Sequence, residues 1–255
     1  MLRTNIMAAL AGSAIALGRN DHLNYDWGHS LYAPYICTPS ESPFEAENWT
    51  VDFFFRITGA HPADGMAFWF TEEQFVPGKA FGYKENFKGL GVFFDVFKNQ
   101  ASHFPHPYIS AMVGDGIKKF DHHTDGQEFS IGGSHKQILN TQQPVQARIT
   151  YDRNTLEVMV KIEENNWETC FKVPDVHLPK TGYIGFTAAT GGLAARHELL
   201  AVTTAVIERD PGPYYTPETE HSASISLSTL TLLFAASGLA GIGYYKYQNR
   251  KRHHF

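Results

Sequence analysis

The stretch GLGVFFDVFKNQ, residues 89–100, has the β-branched and aromatic residues of a buried β-strand, yet it carries an acid, Asp95, between Phe94 and Val96. Burying an unpaired carboxylate costs on the order of several kcal/mol, so Asp95 needs a compensating partner. Asn99 follows shortly after it in the same stretch. The stretch therefore predicts a core strand that leads into a polar segment.

Further strand-like segments lie on both sides of this stretch. The clearest alternation of apolar and polar residues places apolar side chains at Trp49, Val51, Phe53, Phe55 and Ile57. Turn residues separate the other segments, and residues 151–156, YDRNTL, predict a hairpin turn. The sequence shows no long amphipathic helix or internal repeat before residue 210. The pattern predicts an all-β sandwich.

Two apolar segments flank this strand-rich region. Residues 1–17 combine the basic Arg3 with an apolar stretch and small residues, which predicts a secretory signal peptide. Residues 222–245 are uncharged, and their number exceeds the ~20 residues that a helix needs to cross a bilayer. They predict one transmembrane helix. The basic residues that follow it predict that residues 246–255 form a cytosolic tail.

The predicted arrangement is that of a single-pass type I membrane protein. Residues 18–209 would form the luminal domain, and residues 210–221, rich in proline and acidic residues, a stalk. In this oxidising compartment Cys37 and Cys170 could pair or both stay free. Asn48 begins an N-glycosylation sequon. The formal net charge of -5 argues against nucleic acid as a partner.

Polar residues that follow Asp95 could hold a cation. Asn99 and the loop FDHHTDGQ, which contains Asp125, offer several oxygen atoms. Calcium takes about 6 to 8 oxygen ligands from carboxylates, amides and main-chain carbonyls. The competing interpretation is that Asp95 forms a turn and that the histidine-rich loop is solvated. Spacing alone leaves both interpretations open.

Two turns could contribute to a sugar site. Asp64 immediately precedes a buried strand, and Gly191 and Gly192 follow another. Asp64 could accept hydrogen bonds from neighbouring sugar hydroxyls, while the glycines would let backbone N–H groups approach the same ligand. The alternative is that both are ordinary turns.

Four motifs together resemble one known family. They are DGMAFWF (64–70), GLGVFFDVFKN (89–99), DHHTDG (121–126) and GYIGFTAATGGL (182–193). In this order they resemble the L-type (legume-like) lectins of the early secretory pathway, the ERGIC-53/VIP36 cargo-receptor family, and more closely its VIP36 side. The resemblance runs from about residue 43 to 208. It implies a concanavalin-like jelly-roll β-sandwich that binds high-mannose glycans in a calcium-dependent way.

The resemblance also implies roles for single residues. Calcium would be held by Asp95, Asn99, Asp125 and the main-chain carbonyl of Phe97. Mannose would be held by Asp64, Asn99, His122, Gly191, Gly192 and Leu193. The peptide bond between Ala63 and Asp64 would be cis.

The chain departs from the family pattern at several places. Lys98 stands where some relatives have an acid that helps to bind a second calcium ion, so we expect a single one. Ser134 stands where relatives often have the cysteine that pairs with Cys170. Several tens of residues of the relatives have no counterpart between HSLYAPYI and PFEAENWTV, so the N-terminal part of the lectin domain is shortened.

The function that the resemblance implies is that of a transmembrane cargo receptor for high-mannose glycoproteins between endoplasmic reticulum, intermediate compartment and Golgi. Vesicle coat proteins would meet its tail, which ends in Phe255, and the receptor could form a homo-oligomer. One alternative is a membrane-tethered trafficking adaptor that has lost sugar binding. Another is a jelly-roll glycoside hydrolase, which needs two carboxylates about 5 to 10 Å apart. No predicted strand offers such a pair, so we expect no enzyme.

Overall fold

The computed structural model describes most of the predicted luminal domain. The described residues are 21–32, for which only the backbone is described, 43–61, 63–74 and 76–209. All of them belong to the first of two compact units, Met1–Asp210, and the second unit, Pro211–Phe255, lies outside them. No helix among the described residues is long and apolar enough to span a membrane. The predicted signal peptide, stalk, transmembrane helix and tail all lie outside the described residues.

The described part of the chain consists almost entirely of β-strands. Their bounds are β1 Asp21–Tyr32, β2 Phe44–Glu45, β3 Trp49–His61, β4 Gly65–Thr71, β5 Pro77–Ala80, β6 Lys88–Asp95, β7 Tyr108–Asp115, β8 Ser130–His135, β9 Val145–Asp152, β10 Thr155–Lys161, β11 Glu168–Val173, β12 Thr181–Ala189 and β13 Ala194–Arg209. Two short 3₁₀ turns, His122–Thr124 and Gln127–Phe129, interrupt the connection between β7 and β8. The all-β prediction is confirmed.

All of these strands except β5 form two six-stranded antiparallel sheets. The first has the order β1-β13-β3-β9-β10-β11, and the second has the order β2-β12-β4-β6-β7-β8. The predicted hairpin turn joins β9 to β10, where Asp152 pairs with Thr155. Neighbours in the second sheet come from distant parts of the chain, so its strand ends bring remote segments together.

The main core lies between the two sheets. The five apolar residues of the alternating segment in β3 are fully buried, as the alternation predicts. Phe53 of this strand packs edge-to-face on Phe94 of β6, and Trp49 packs on Phe68 and Phe70 of β4. Burying each such side chain contributes about 1.5 to 3 kcal/mol.

A second apolar cluster covers the other face of the second sheet. Trp69 of β4 and Phe93 of β6 point away from the main core and pack against Phe81, Phe87 and Phe120. These three phenylalanines lie on the connections that follow β5 and β7. Strands β4 and β6 are therefore buried on both faces. This packing fixes the connection after β7 against the sheet, and that connection carries His122 and Asp125.

Candidate functional site

Several polar segments meet at one end of the second sheet. Ala189 of β12 pairs with Gly65 of β4, and Gly65 pairs with Asp95 of β6. Asp95 pairs in turn with Tyr108 of β7. Because neighbouring strands run antiparallel, β12 and β6 end here, whereas β4 and β7 begin here. The residues just outside these strand ends, Asp64 among them, are therefore neighbours although they are far apart in sequence.

Asp64 is held by the backbone on both sides. Its N–H donates to the carbonyl of Ala189 at 3.0 Å, and its carbonyl accepts from the N–H of Val96 at 3.0 Å. The peptide bond between Ala63 and Asp64 is cis, as the resemblance implies. The next residue must be glycine, because a Cβ on Gly65 would lie 2.4 Å from the carbonyl oxygen of Phe94.

The glycine loop after β12 faces the carboxylate of Asp64. A Cβ on Gly191 would lie 3.8 Å from each carboxylate oxygen of Asp64. The N–H of Gly191 donates to the carbonyl of Leu193 at 3.1 Å, which closes a tight turn. Gly191 and Gly192 are exposed, and Leu193 is 44% exposed. The structure thus brings together Asp64 and the glycine loop, two of the elements that the resemblance assigns to mannose.

Asp95 and Asp125 are two buried carboxylates at the same place. They are 5% and 3% exposed. Oδ1 of Asp95 accepts from the N–H of Phe97 at 3.0 Å. Asp125 accepts from the side-chain amide of Asn99 at 2.6 Å and from its N–H at 3.2 Å. These hydrogen bonds join the predicted calcium ligands in two pairs, Asp95 with Phe97 and Asn99 with Asp125. One oxygen of Asp95 and one of Asp125 lie within 4.8 Å of each other, so the two pairs are neighbours.

A histidine that the sequence interpretation did not include lies between these acids. Nε2 of His106 is 3.4 Å from Oδ2 of Asp95 and 3.2 Å from Oδ2 of Asp125. Neither of these two contacts has the geometry of a hydrogen bond, and Nε2 of His106 is buried without a hydrogen-bond partner. Nδ1 lies 3.1 Å from the carbonyl oxygen of Phe104. A cis peptide bond joins His106 to Pro107, directly before β7.

The three ionisable groups shift one another's pKa values. Burial is the main influence on Asp95 and raises its pKa to about 6. Burial alone would lower the pKa of His106, but the carboxylates of Asp125 and Asp95 outweigh it and raise the pKa to about 9. Burial would also raise the pKa of Asp125, yet His106 and Asn99 keep it below its usual value. Without an ion, the favoured state therefore holds an imidazolium between two carboxylates.

His122 lies on the 3₁₀ turn that precedes Asp125. Asp121 caps this turn by accepting from the N–H of His123 at 3.0 Å. The half-buried ring of His122 packs edge-to-face on Phe120, with 5.1 Å between ring centroids, and its Nε2 contacts the carbonyl oxygen of Lys79. A sugar that used this nitrogen would have to displace the carbonyl contact.

Comparison with known proteins identifies the family. The model of the legume-like lectin family matches residues 37–210. The chain belongs to this family. The recognition made from the four motifs is thus confirmed, and so is the expectation of a jelly-roll-like lectin fold.

Individual members of the legume-like lectin family are moderately similar to the chain. ERGIC-53 of the mouse, Mus musculus, is 37% identical over 175 residues, which are 66% of this chain and 33% of ERGIC-53. The mouse vesicular integral-membrane protein VIP36 is 32% identical over 180 residues, which are 68% of this chain and 50% of VIP36. The chain thus spans a third to a half of these relatives' length. These identities do not by themselves assign it to the VIP36 side.

A solved structure of one family member shows what a similar domain binds. The VIP36 exoplasmic/lumenal domain in its Ca²⁺/Man3GlcNAc-bound form matches with a TM-score of 0.71 and 26% sequence identity. The match covers 75% of this chain and 93% of that domain.

The residues at the end of the second sheet fit a divalent cation. One oxygen each from Asp95 and Asp125 and one nitrogen of His106 lie within 4.8 Å of one another. All three side chains are buried, and Nε2 of His106 lacks a hydrogen-bond partner. Two buried carboxylates that face an unpartnered imidazole nitrogen can act as ligands of a cation, and the cation would compensate their negative charge.

Two predicted modification sites lie away from this group. Asn48 is half-buried, and its side-chain oxygen accepts from the N–H of Arg153 at 2.9 Å. Cys170 is a buried free thiol beside Ser134. Cys37 lies outside the described residues.

Proposed function

We propose that the described domain is a lectin that binds mannose-rich glycans and depends on a divalent cation held by Asp95 and Asp125. The observation that carries this proposal is the meeting of Asp64 and the Gly191 loop at the strand end where the two buried acids converge. The VIP36 domain, which is similar in fold, has been crystallised with Ca²⁺ and Man3GlcNAc.

In this proposal the protein's own residues hold and orient the sugar. The carboxylate of Asp64 accepts hydrogen bonds from neighbouring hydroxyls, and the exposed loop at Gly191, Gly192 and Leu193 leaves its backbone open to the same ligand. Asn99 would connect the ion site with the sugar site, because its amide already contacts Asp125. Calcium is the expected ion, held by Asp95, Asn99, Asp125 and the carbonyl of Phe97, and it would neutralise the buried acids and keep the loops in place.

We further propose that the whole chain is a cargo receptor of the early secretory pathway. Its predicted signal peptide and transmembrane helix would place the lectin domain in the lumen and the basic tail in the cytosol, where coat proteins would bind it. The name of VIP36, a vesicular integral-membrane protein, supports this arrangement. Residues 18–209 would then meet high-mannose glycoproteins, and no enzymatic step is needed.

The direct test measures retention of the detergent-solubilised full chain on immobilised Man3GlcNAc. We expect retention with calcium, release by EDTA, and loss of retention in Asp64→Ala. Glu164→Ala removes an exposed acid on the turn between β10 and β11 and serves as the matched control. Retention that EDTA leaves unchanged would contradict the role of the ion. A folded chain that binds the ion but no mannose would instead favour the adaptor.

The proposed topology has its own test. In cells, treatment with an endoglycosidase should shift the mobility of the chain, and Asn48→Gln should abolish the shift. Protease added to intact microsomes should remove only the tail. A glycosylated tail, or a luminal domain open to protease, would contradict the type I arrangement.

A further inference from the structure

His197 is a half-buried histidine on β13, shortly after the glycine loop. Its Nε2 atom is buried and has no hydrogen-bond partner. A buried polar atom without a partner lowers the stability of a fold, so its presence calls for an explanation. We propose that His197 is a positioning residue for Asp64, which it supports from between the two sheets, and that it thereby raises the affinity for mannose. The inference rests on the proposed function in taking Asp64 as a mannose-binding residue.

The strand pairing turns the side chain of His197 inward. His197 pairs with Ile57 of β3, and Leu199 pairs with Phe55. Side chains that lie opposite each other in two paired strands are on the same face of the sheet. Ile57 and Phe55 are fully buried in the main core, and Leu199 packs against that core. The imidazole therefore lies on the inner face of the first sheet.

The backbone fixes the beginning of β13 beside Asp64. The N–H of Ala195 donates to the carbonyl of Ala63 at 3.2 Å. Asp64 follows Ala63 directly, and its own N–H is bonded to Ala189, the last residue of β12. The segment that carries His197 is therefore held against the backbone on which the Asp64 carboxylate stands.

The carboxylate of Asp64 acts on the imidazole of His197 through its charge. Burial lowers the pKa of His197 below its ordinary value, and the Asp64 carboxylate acts in the opposite direction. Because burial prevails, the ring is neutral at neutral pH and carries one N–H. Hydrogen bonds to a carboxylate are stronger than those to a neutral acceptor. The neutral ring can thus orient the carboxylate without cancelling the negative charge that attracts the sugar hydroxyls.

The charged neighbours of His197 on β13 face the other way. Arg196 and Glu198 flank His197, so their side chains point to the outer face of the first sheet. They form an ion pair with each other, with 2.7 Å between nitrogen and oxygen. Arg56 stands opposite Glu198 and shares this outer face. The inward-pointing imidazole is thus left to act on Asp64.

Support for the Asp64 side chain adds to what the backbone already provides. Backbone hydrogen bonds hold the main chain of Asp64 on both sides, but its carboxylate can still rotate about the side-chain bonds. Freedom that is lost only on binding lowers affinity. A hydrogen bond from His197, made directly or through one water, favours one orientation of the carboxylate. The imidazole and the sugar hydroxyls then support the same orientation, so each contact strengthens the other.

The experiment measures calorimetric binding of Man3GlcNAc to the detergent-solubilised full chain in calcium, and the thermal unfolding of the same samples. His197→Leu and His197→Phe are smaller and larger than the native side chain and offer no nitrogen. We expect the affinity of both to fall about tenfold, which is the loss of one hydrogen bond to a charged group. The melting temperature of at least one of them should equal or exceed the native value, because the unpartnered nitrogen is gone. His197→Gln, whose amide N–H can take the place of Nε2, should keep most of the native affinity.

The matched control removes another unpartnered nitrogen. Nε2 of Gln146 on β9 is also buried without a partner. Gln146 pairs with Phe54, which alternates with the core residues of β3, so Gln146 faces the outer side of the first sheet. Gln146→Met should therefore bind Man3GlcNAc as tightly as the native chain does.

Several results would overturn the inference. One is native affinity in both His197→Leu and His197→Phe, and another is an affinity in His197→Gln as low as in those two. A third is a loss of affinity in every His197 variant that only accompanies a loss of stability, since that is the mark of a structural role.

Titration with calcium separates this inference from the proposed function. His197 is not among the proposed ligands of the ion, so its variants should bind Ca²⁺ as the native chain does. If the native chain binds Man3GlcNAc and the His197 variants bind it equally well, the proposed function stands and the role of His197 falls. If the native chain binds no mannose, both fall.

Discussion

Introducing a cysteine at position 134 should create a disulfide bond between the two sheets. Ser134 lies on β8 and Cys170 on β11, the edge strands of the second and the first sheet. The pairing of β10 with β11 skips Cys170, which marks a bulge. The two edges touch nearby, because a Cβ on Gly132 would lie 3.0 Å from the ring of Phe171. Burial raises the pKa of the Cys170 thiol. The Ser134 hydroxyl lies beside this thiol and acts in the opposite direction.

The expected gain in stability follows from the length of the loop that the bond closes. Positions 134 to 170 enclose about 37 residues, for which the loss of chain entropy in the unfolded state is worth about 4 kcal/mol. Strain in the bond reduces this gain, so we expect about 2 to 4 kcal/mol. For a domain of this size, that corresponds to a rise of roughly 5 to 15 °C in melting temperature.

The assay is urea unfolding of Ser134→Cys in the full chain, followed by tryptophan fluorescence with and without a reductant. The gain should appear only under oxidising conditions, and Ser134→Ala should show none. Peptide mapping must find the introduced cysteine joined to Cys170 and not to Cys37. If both thiols stay free in oxidising buffer, or if the bond forms without any gain, the inferred proximity of the two strand edges is wrong.

Three further predictions concern the group of acids and its surroundings. In EDTA, the raised pKa of His106 contributes stability that is complete below about pH 6.5 and is lost as the pH rises through about 9. The free energy of unfolding at about pH 7 and at about pH 9.5 should therefore differ by about 2 kcal/mol more in the native chain than in His106→Gln. Equal differences in the two chains would refute the ion pair. Gly126→Ala would place a Cβ 2.3 Å from the ring of Phe120 at a φ of 69°, whereas Gly116 has a φ of 88° and nothing nearer than 3.9 Å. The first variant should therefore be less stable than Gly116→Ala by about 1 to 3 kcal/mol and bind ions more weakly, and equal thermal melts would contradict this packing. Burial raises the pKa of the Cys170 thiol to about 11, so iodoacetamide should label it at pH 8 only in urea, and rapid labelling of the folded chain would show that the thiol is accessible.

The strand pattern was readable from the sequence because burial imposes a period on it. The apolar residues of β3 alternate, and the structure buries all of them between the sheets. Buried runs such as those of β4 and β6 could likewise be recognised as strands. The layer formed by Phe81, Phe87 and Phe120 could not be predicted, since these residues lie on connections without a period. Their burial depends on the path of these connections over the outer face of the second sheet.

The site could be predicted only where a residue belongs to a recognisable motif. Asp64, Asp95 and Asp125 were found in this way, and the structure brings Asp95 and Asp125 together. His106 was missed because it belongs to none of the four motifs. Its position depends on the register of β6 with β7, in which Asp95 lies opposite Tyr108, and on the turn at Pro107. The useful signal would have been a histidine two residues before β7, the strand whose first residue pairs with Asp95.

The balance of charge at the strand end explains why an ion should replace the proton of His106. Two ionised carboxylates and an imidazolium carry a net charge of minus one, which is costly in a buried group. A dication bound to the same two carboxylates, beside a neutral imidazole, would make the group neutral. Binding the ion therefore releases a proton and removes the uncompensated charge. A bound ion would thus stabilise the packed strand end electrostatically, in addition to holding the neighbouring loops.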